Sequence, residues 1–154
     1  MKSIPYREGS LFAVPLRNNG FAVGVVARMA KKGKIILAYF FGKKFETIPS
    51  FTEISIMRPT DTIKCLRIGD LGLINGEWLI LGDMPSWSHK DWPVPTFIRQ
   101  DELTGRAWRV IYSDADPSKL DKEESIPYDT KGLEESDLYG YGAVELVMTK
   151  LLNS

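Results

Sequence analysis

The sequence predicts a mainly β (α+β) fold: a small antiparallel, SH3-like or partly open barrel of six to eight strands, with a short helix and a C-terminal helix. Three observations carry this. The stretch Gly20 to Gly42 reads as two long β-branched and aromatic runs joined by a polar, glycine-containing turn. Shorter runs of the same kind recur at Leu11–Leu16, Thr62–Ile68, Glu77–Gly82 and Trp108–Tyr112, with turn residues between them. The only long helical pattern falls at the end, after Gly140-Tyr141-Gly142.

The central hairpin runs from Phe21 to Ala30 and from Lys34 to Phe41, turning at Lys31-Lys32-Gly33. Alternation puts Phe21, Val23, Val25, Ala27 and Met29 on one face of its first strand, and Ala22, Gly24, Val26, Arg28 and Ala30 on the other. In the second strand Ile35, Leu37, Tyr39 and Phe41 oppose Ile36, Ala38 and Phe40. Neither face is polar over much of its length, so the hairpin is expected to be covered on both sides. Gly24 is read as a bend or bulge.

Leu11–Leu16 forms a meander with the hairpin, and Pro15, which has no N–H to donate, belongs at an edge or a strand end. Ser50 and Glu53 have the form of a capping box, so a short helix is expected after Pro49. In Thr62–Ile68 the two alternating sets are Ile63, Cys65, Arg67 and Lys64, Leu66, Ile68, and the pattern leaves the inward set open. Pro93 and Pro95 force an extended path before Thr96–Arg99. Ser113 to Tyr139, poor in large apolar residues, reads as a long surface loop. The C-terminal helix uses Ala143, Val144, Leu146, Val147, Leu151 and Leu152 as apolar positions, with Glu145 and Lys150 facing water.

The 154 residues suit one domain spanning 1–154. A single cysteine, Cys65, excludes an internal disulfide framework and fits a reducing compartment. The first ten residues carry no apolar signal core and no run is long enough to span a bilayer, so the expected location is the cytoplasm, without membrane. Twenty basic and twenty acidic residues cancel, which argues against a dedicated nucleic-acid binder. They are unevenly placed. Arg28 to Lys44 holds six cations and no acid, whereas Asp114 to Asp137 holds nine acids against three lysines, a net of −6. The acidic segment is a candidate surface for a basic partner.

Ser86-Trp87-Ser88-His89-Lys90-Asp91-Trp92 holds two of the four tryptophans and the one histidine. One histidine and one cysteine do not build the usual zinc sites, and no G-x-S-x-G elbow is present, so no metal, cofactor or catalytic residue is assigned. Local hydrogen bonding by His89 beneath a tryptophan cap is the plain account, and a partner-contact surface is the functional one. Candidate partner-binding residues are Trp87, His89, Trp92, Asp114, Asp116, Glu123, Glu124, Glu134 and Glu135. Glu123-Glu124 and Glu134-Glu135 read as solvated pairs rather than acid–base machinery. Gly140-Tyr141-Gly142 lacks the spacing of a phosphate loop, and Tyr39-Phe40-Phe41 beside Lys43 and Lys44 fits core packing better than base stacking.

Several segments resemble the immunity protein 26 family of bacterial polymorphic-toxin systems: Tyr6 to Leu16, Gly20 to Arg28, Ile36 to Gly42, Gly72-Leu73 with Gly76-Glu77-Trp78, and Trp92 to Phe97. The similarity spans roughly residues 6 to 100, and beyond Arg109 it is carried only by the Gly-x-Gly and the helix after it. The resemblance implies a non-catalytic antidote that binds a cognate, basic toxin domain, such as a nuclease, and occludes it. Two rival classes stand beside it: a small ester or phosphotriester hydrolase depending on His89, and a nucleic-acid-binding barrel using Arg28 to Lys44.

Overall fold

A computed structural model describes residues 3–153. The mainly-β expectation holds: ten strands and three helices lie among these residues, in two sheets that do not close into a barrel. The strands are β1 (Ser10–Pro15), β2 (Phe21–Met29), β3 (Ile35–Phe41), β4 (Thr62–Gly69), β5 (Leu79–Asp83), β6 (Phe97–Asp101), β7 (Arg106–Tyr112), β8 (Leu120–Ile126), β9 (Glu134–Glu135) and β10 (Leu138–Tyr139). The helices are α1 (Phe51–Ile54), α2 (Leu71–Ile74) and α3 (Tyr141–Leu152). The first sheet has the order β10-β4-β3-β2-β1-β5 and the second β8-β7-β6-β9. All pairings are antiparallel except the short ones made by β9 and β10. No helix among the described residues is long and apolar enough to cross a membrane.

The hairpin β2–β3 is the middle of the larger sheet and is covered on both faces, as its two-sided apolar pattern requires. On one face Phe12, Val26, Ile36, Ala38, Phe40, Leu66 and Ile68 pack against Val144 and Met148 of α3. On the other, Val23, Val25, Leu37 and Phe41 pack against Ile54, Trp92, and Phe97 and Val110 of the second sheet. The open choice in β4 resolves with Leu66 and Ile68 under α3, and Cys65 and Arg67 toward the second sheet. Pro15 sits at the end of β1, past the residues that pair with β5.

Three expectations change. The register of β2 slips between Val26 and Arg28, not at Gly24, so the bulge falls at Ala27. Gly24 instead lies under the rings of Phe12 and Phe40: a Cβ there would meet Phe12 Cζ at 2.6 Å. Ser113–Tyr139 is not one loop but contains β8, β9 and β10. Glu145 does not face water. It is buried and accepts a hydrogen bond from Trp78 Nε1 at 3.0 Å, with Arg17 Nε 3.2 Å away. Trp78 in turn stacks on Phe12, with ring centroids 5.5 Å apart, so this contact ties α3 to the sheet. The Ser50–Glu53 capping box forms as expected at the start of α1.

Candidate functional site

The bulge at Ala27 determines where Arg28 points. Because side chains alternate along a strand, one inserted residue moves every later side chain to the other face. Val26 pairs with Ala38 and Arg28 with Leu37, so Arg28 shares Leu37's face and looks toward the second sheet, while Met29 crosses to the α3 side. Arg28 is 1% exposed. A buried guanidinium needs its donors satisfied. Nη1 donates to the carbonyl of Ala27 at 2.6 Å, Nη2 to the carbonyl of His89 at 3.2 Å, and Nε and Nη2 to Asp114 Oδ1 at 3.1 and 2.9 Å.

Asp114 is shared. Its other oxygen, Oδ2, lies 2.7 Å from His89 Nε2, and His89 Nδ1 lies 2.8 Å from Glu8 Oε1. With a carboxylate on each ring nitrogen, the imidazolium is favoured and its pKa is raised above the ordinary value, most by Asp114 and next by Glu8. Hydrogen bonds from His89 and then Arg28 hold the Asp114 carboxyl below the usual range. Trp87 Nε1 donates to the same Glu8 oxygen at 3.4 Å.

The segment carrying His89 is clamped from beneath. Trp87 stacks on Trp92 at 5.5 Å between centroids, and Trp92, itself 3% exposed, meets Tyr39 and Phe41 edge-on. The Tyr39 hydroxyl donates to the carbonyl of Pro93. Gly9, at φ +89°, lets the Trp87 ring lie against the backbone, since a Cβ there would fall 3.1 Å from the indole. The arrangement fixes charges in place. With both nitrogens of His89 taken by carboxylates, neither is free to accept a proton from a nucleophile.

The other candidate residues go elsewhere. Asp116 accepts from the backbone and hydroxyl of Ser118 and closes its own turn. Glu123 pairs with Arg99 at 2.6 Å, Glu124 pairs with Arg109 and with Lys122, and Glu134 pairs with Lys64 at 2.8 Å. Glu135 is pushed above the usual carboxylate range by burial, then by Asp137. The structure therefore brings together Trp87, His89, Trp92 and Asp114, and places the remaining five along the second sheet and its turns. The basic stretch is also divided, because Arg28 is buried and neutralised while Lys31 and Lys32 are exposed.

Sequence reasoning missed Glu8, Arg28 and Arg67 as site-building residues. Arg67 is buried, donates from Nε to the carbonyl of Pro117 and from Nη1 to the Tyr112 hydroxyl and the carbonyl of Ser136, and lies 3.8 Å over the Tyr112 ring. It anchors the turn that carries Asp114. A lone arginine in an otherwise apolar strand, as at Arg28, was the available signal. Nothing local marks Glu8, which lies 81 residues from His89.

No curated protein and no solved structure matches the chain. The family model described as Immunity protein 26 matches residues 7–109, which hold Glu8, Arg28, Trp87, His89 and Trp92 as well as β1 to β6 and the start of β7. That is about two-thirds of the 154 residues, and the chain belongs to the Immunity protein 26 family.

Proposed function

We propose that this chain neutralises a cognate bacterial toxin domain in the cytoplasm by binding and covering it, with no catalysis of its own. An immunity role follows from the family; occlusion is the reading that the surface favours. The observation that carries it is the Glu8–His89–Asp114–Arg28 network, in which every charged group is already held by a partner in the folded chain. A surface fixed in this way loses little side-chain freedom on association, which favours tight, slowly dissociating complexes. A hydrolase reading would need His89 poised to take a proton, and its two carboxylate contacts oppose that.

The test is co-expression with the toxin domain encoded beside this chain's gene. Restored growth and a 1:1 complex on gel filtration are expected. Undiminished toxin activity in the presence of equimolar protein would overturn the reading, as would neutralisation at far below equimolar amounts, which would indicate turnover.

A further inference from the structure

The second sheet ends in a strand that, among the described residues, has a strand partner on one side only. β8 pairs only with β7, in register from Ala107 opposite Ile126 to Ile111 opposite Lys122 with a shift before Tyr112 opposite Leu120, and no proline interrupts it between Pro117 and Pro127. It has seven residues. The other sheet edges are poorer templates: β9 and β10 have two residues each, and β5 has five and carries Phe51 packed on Gly82. An exposed edge strand offers a row of unpaired N–H and C=O groups to another chain.

Resting on the toxin-binding reading, we propose that β8 receives an extended basic strand of the toxin, which adds a fifth strand to the four-stranded sheet. Charge selects this occupant. β8 contains Asp121, Glu123 and Glu124 against Lys122. Arg99 of β6 offsets Glu123, and Arg109 of β7 and Lys122 of β8 itself offset Glu124, while Asp121 has no partner among the described residues. Asp121 is therefore the one acid of the strand whose charge nothing offsets. A second copy paired antiparallel about Glu123 would set Glu123 against Glu123 and Asp121 opposite Ser125, leaving the Asp121 charge unmet, whereas a lysine or arginine on an incoming strand would face Asp121 across the new ladder.

Amide hydrogen exchange of the full chain, alone and with the toxin domain encoded beside its gene, tests this. Alternate amides of β8 should slow about tenfold or more in the complex. Asp121→Lys should slow association about threefold at low salt while the amides of β2 and β3 keep their protection. A stable complex in which β8 exchanges at its free rate would overturn the edge-strand proposal and leave toxin binding standing. Concentration-dependent protection of β8 in the chain alone would overturn it in favour of a second copy. If no complex forms, toxin binding itself fails, and this inference with it.

Discussion

Arg28 and Asp114 meet at 2.9 Å across 86 residues of sequence, joining a strand in the middle of the first sheet to the turn that follows β7. The two ends differ in exposure: the guanidinium is 1% exposed and the carboxylate 68%. Asp114→Ala leaves a buried cation with only the carbonyls of Ala27 and His89, and should cost about 2 kcal/mol. Arg28→Met removes the charge together with its need for a partner and should cost less. Urea unfolding of the two variants measures the order, and an Arg28→Met variant less stable than Asp114→Ala would refute the asymmetry.

How far the sequence led is clearest at this pair. Period-2 alternation placed Leu37, Tyr39 and Phe41 against Ile36, Ala38 and Phe40, and the structure keeps those faces. It misplaced Arg28, because a bulge at Ala27 leaves no mark in a run of small and β-branched residues. β8 escaped notice for a different reason. As an edge strand of charged residues it buries no stripe of its own, and its pairing is set by β7 and by the anchoring of the neighbouring turn by Arg67. The tryptophan–histidine cluster was legible from composition; its carboxylate partners, remote in sequence, were not.

Stability should depend on pH through the His89 cluster. The groups facing the imidazole are Glu8, Asp114 and the Arg28 guanidinium, and the two carboxylates outweigh the cation. A raised imidazole contributes stability that is present below its unfolded value of about 6.5 and lost as pH rises through the folded value. The lowered Asp114 works in the opposite sense: its contribution is present above about pH 4 and lost as pH falls through its folded value. The urea midpoint should therefore decline as pH rises from about 6.5 through the raised folded value, and His89→Gln should flatten that decline. An unchanged slope in His89→Gln would assign the dependence to other groups.

The Trp78–Glu145 contact predicts what holds α3 in place. Glu145→Leu leaves the indole N–H of Trp78, which is 1% exposed, without an acceptor, and removes the ion pair with the half-exposed Arg17. The cost should be about 2 kcal/mol. Amides of α3 should exchange faster while those of β2 and β3 change little, since the other core is untouched. Equal acceleration in both regions would mean that α3 is not a separate unit of stability.

Gly24 separates two reasons for a glycine in mid-strand. If it were there for backbone freedom, Gly24→Ala would stabilise β2 by about 0.5–1 kcal/mol, because alanine gives up less entropy on folding. The structure argues for space instead. The added Cβ would fall 2.6 Å from Phe12 Cζ and 3.0 Å from Phe40 Cδ1. Phe12 has little room to yield, being stacked on Trp78 and set edge-on to Phe40. Gly24→Ala should therefore destabilise by about 2 kcal/mol. Part of that loss should return in the Phe12→Leu background, where a smaller side chain leaves room for the methyl group, and a double-mutant cycle of urea midpoints reads the coupling. Additive losses in that cycle would show that Phe12 is not what the methyl group meets.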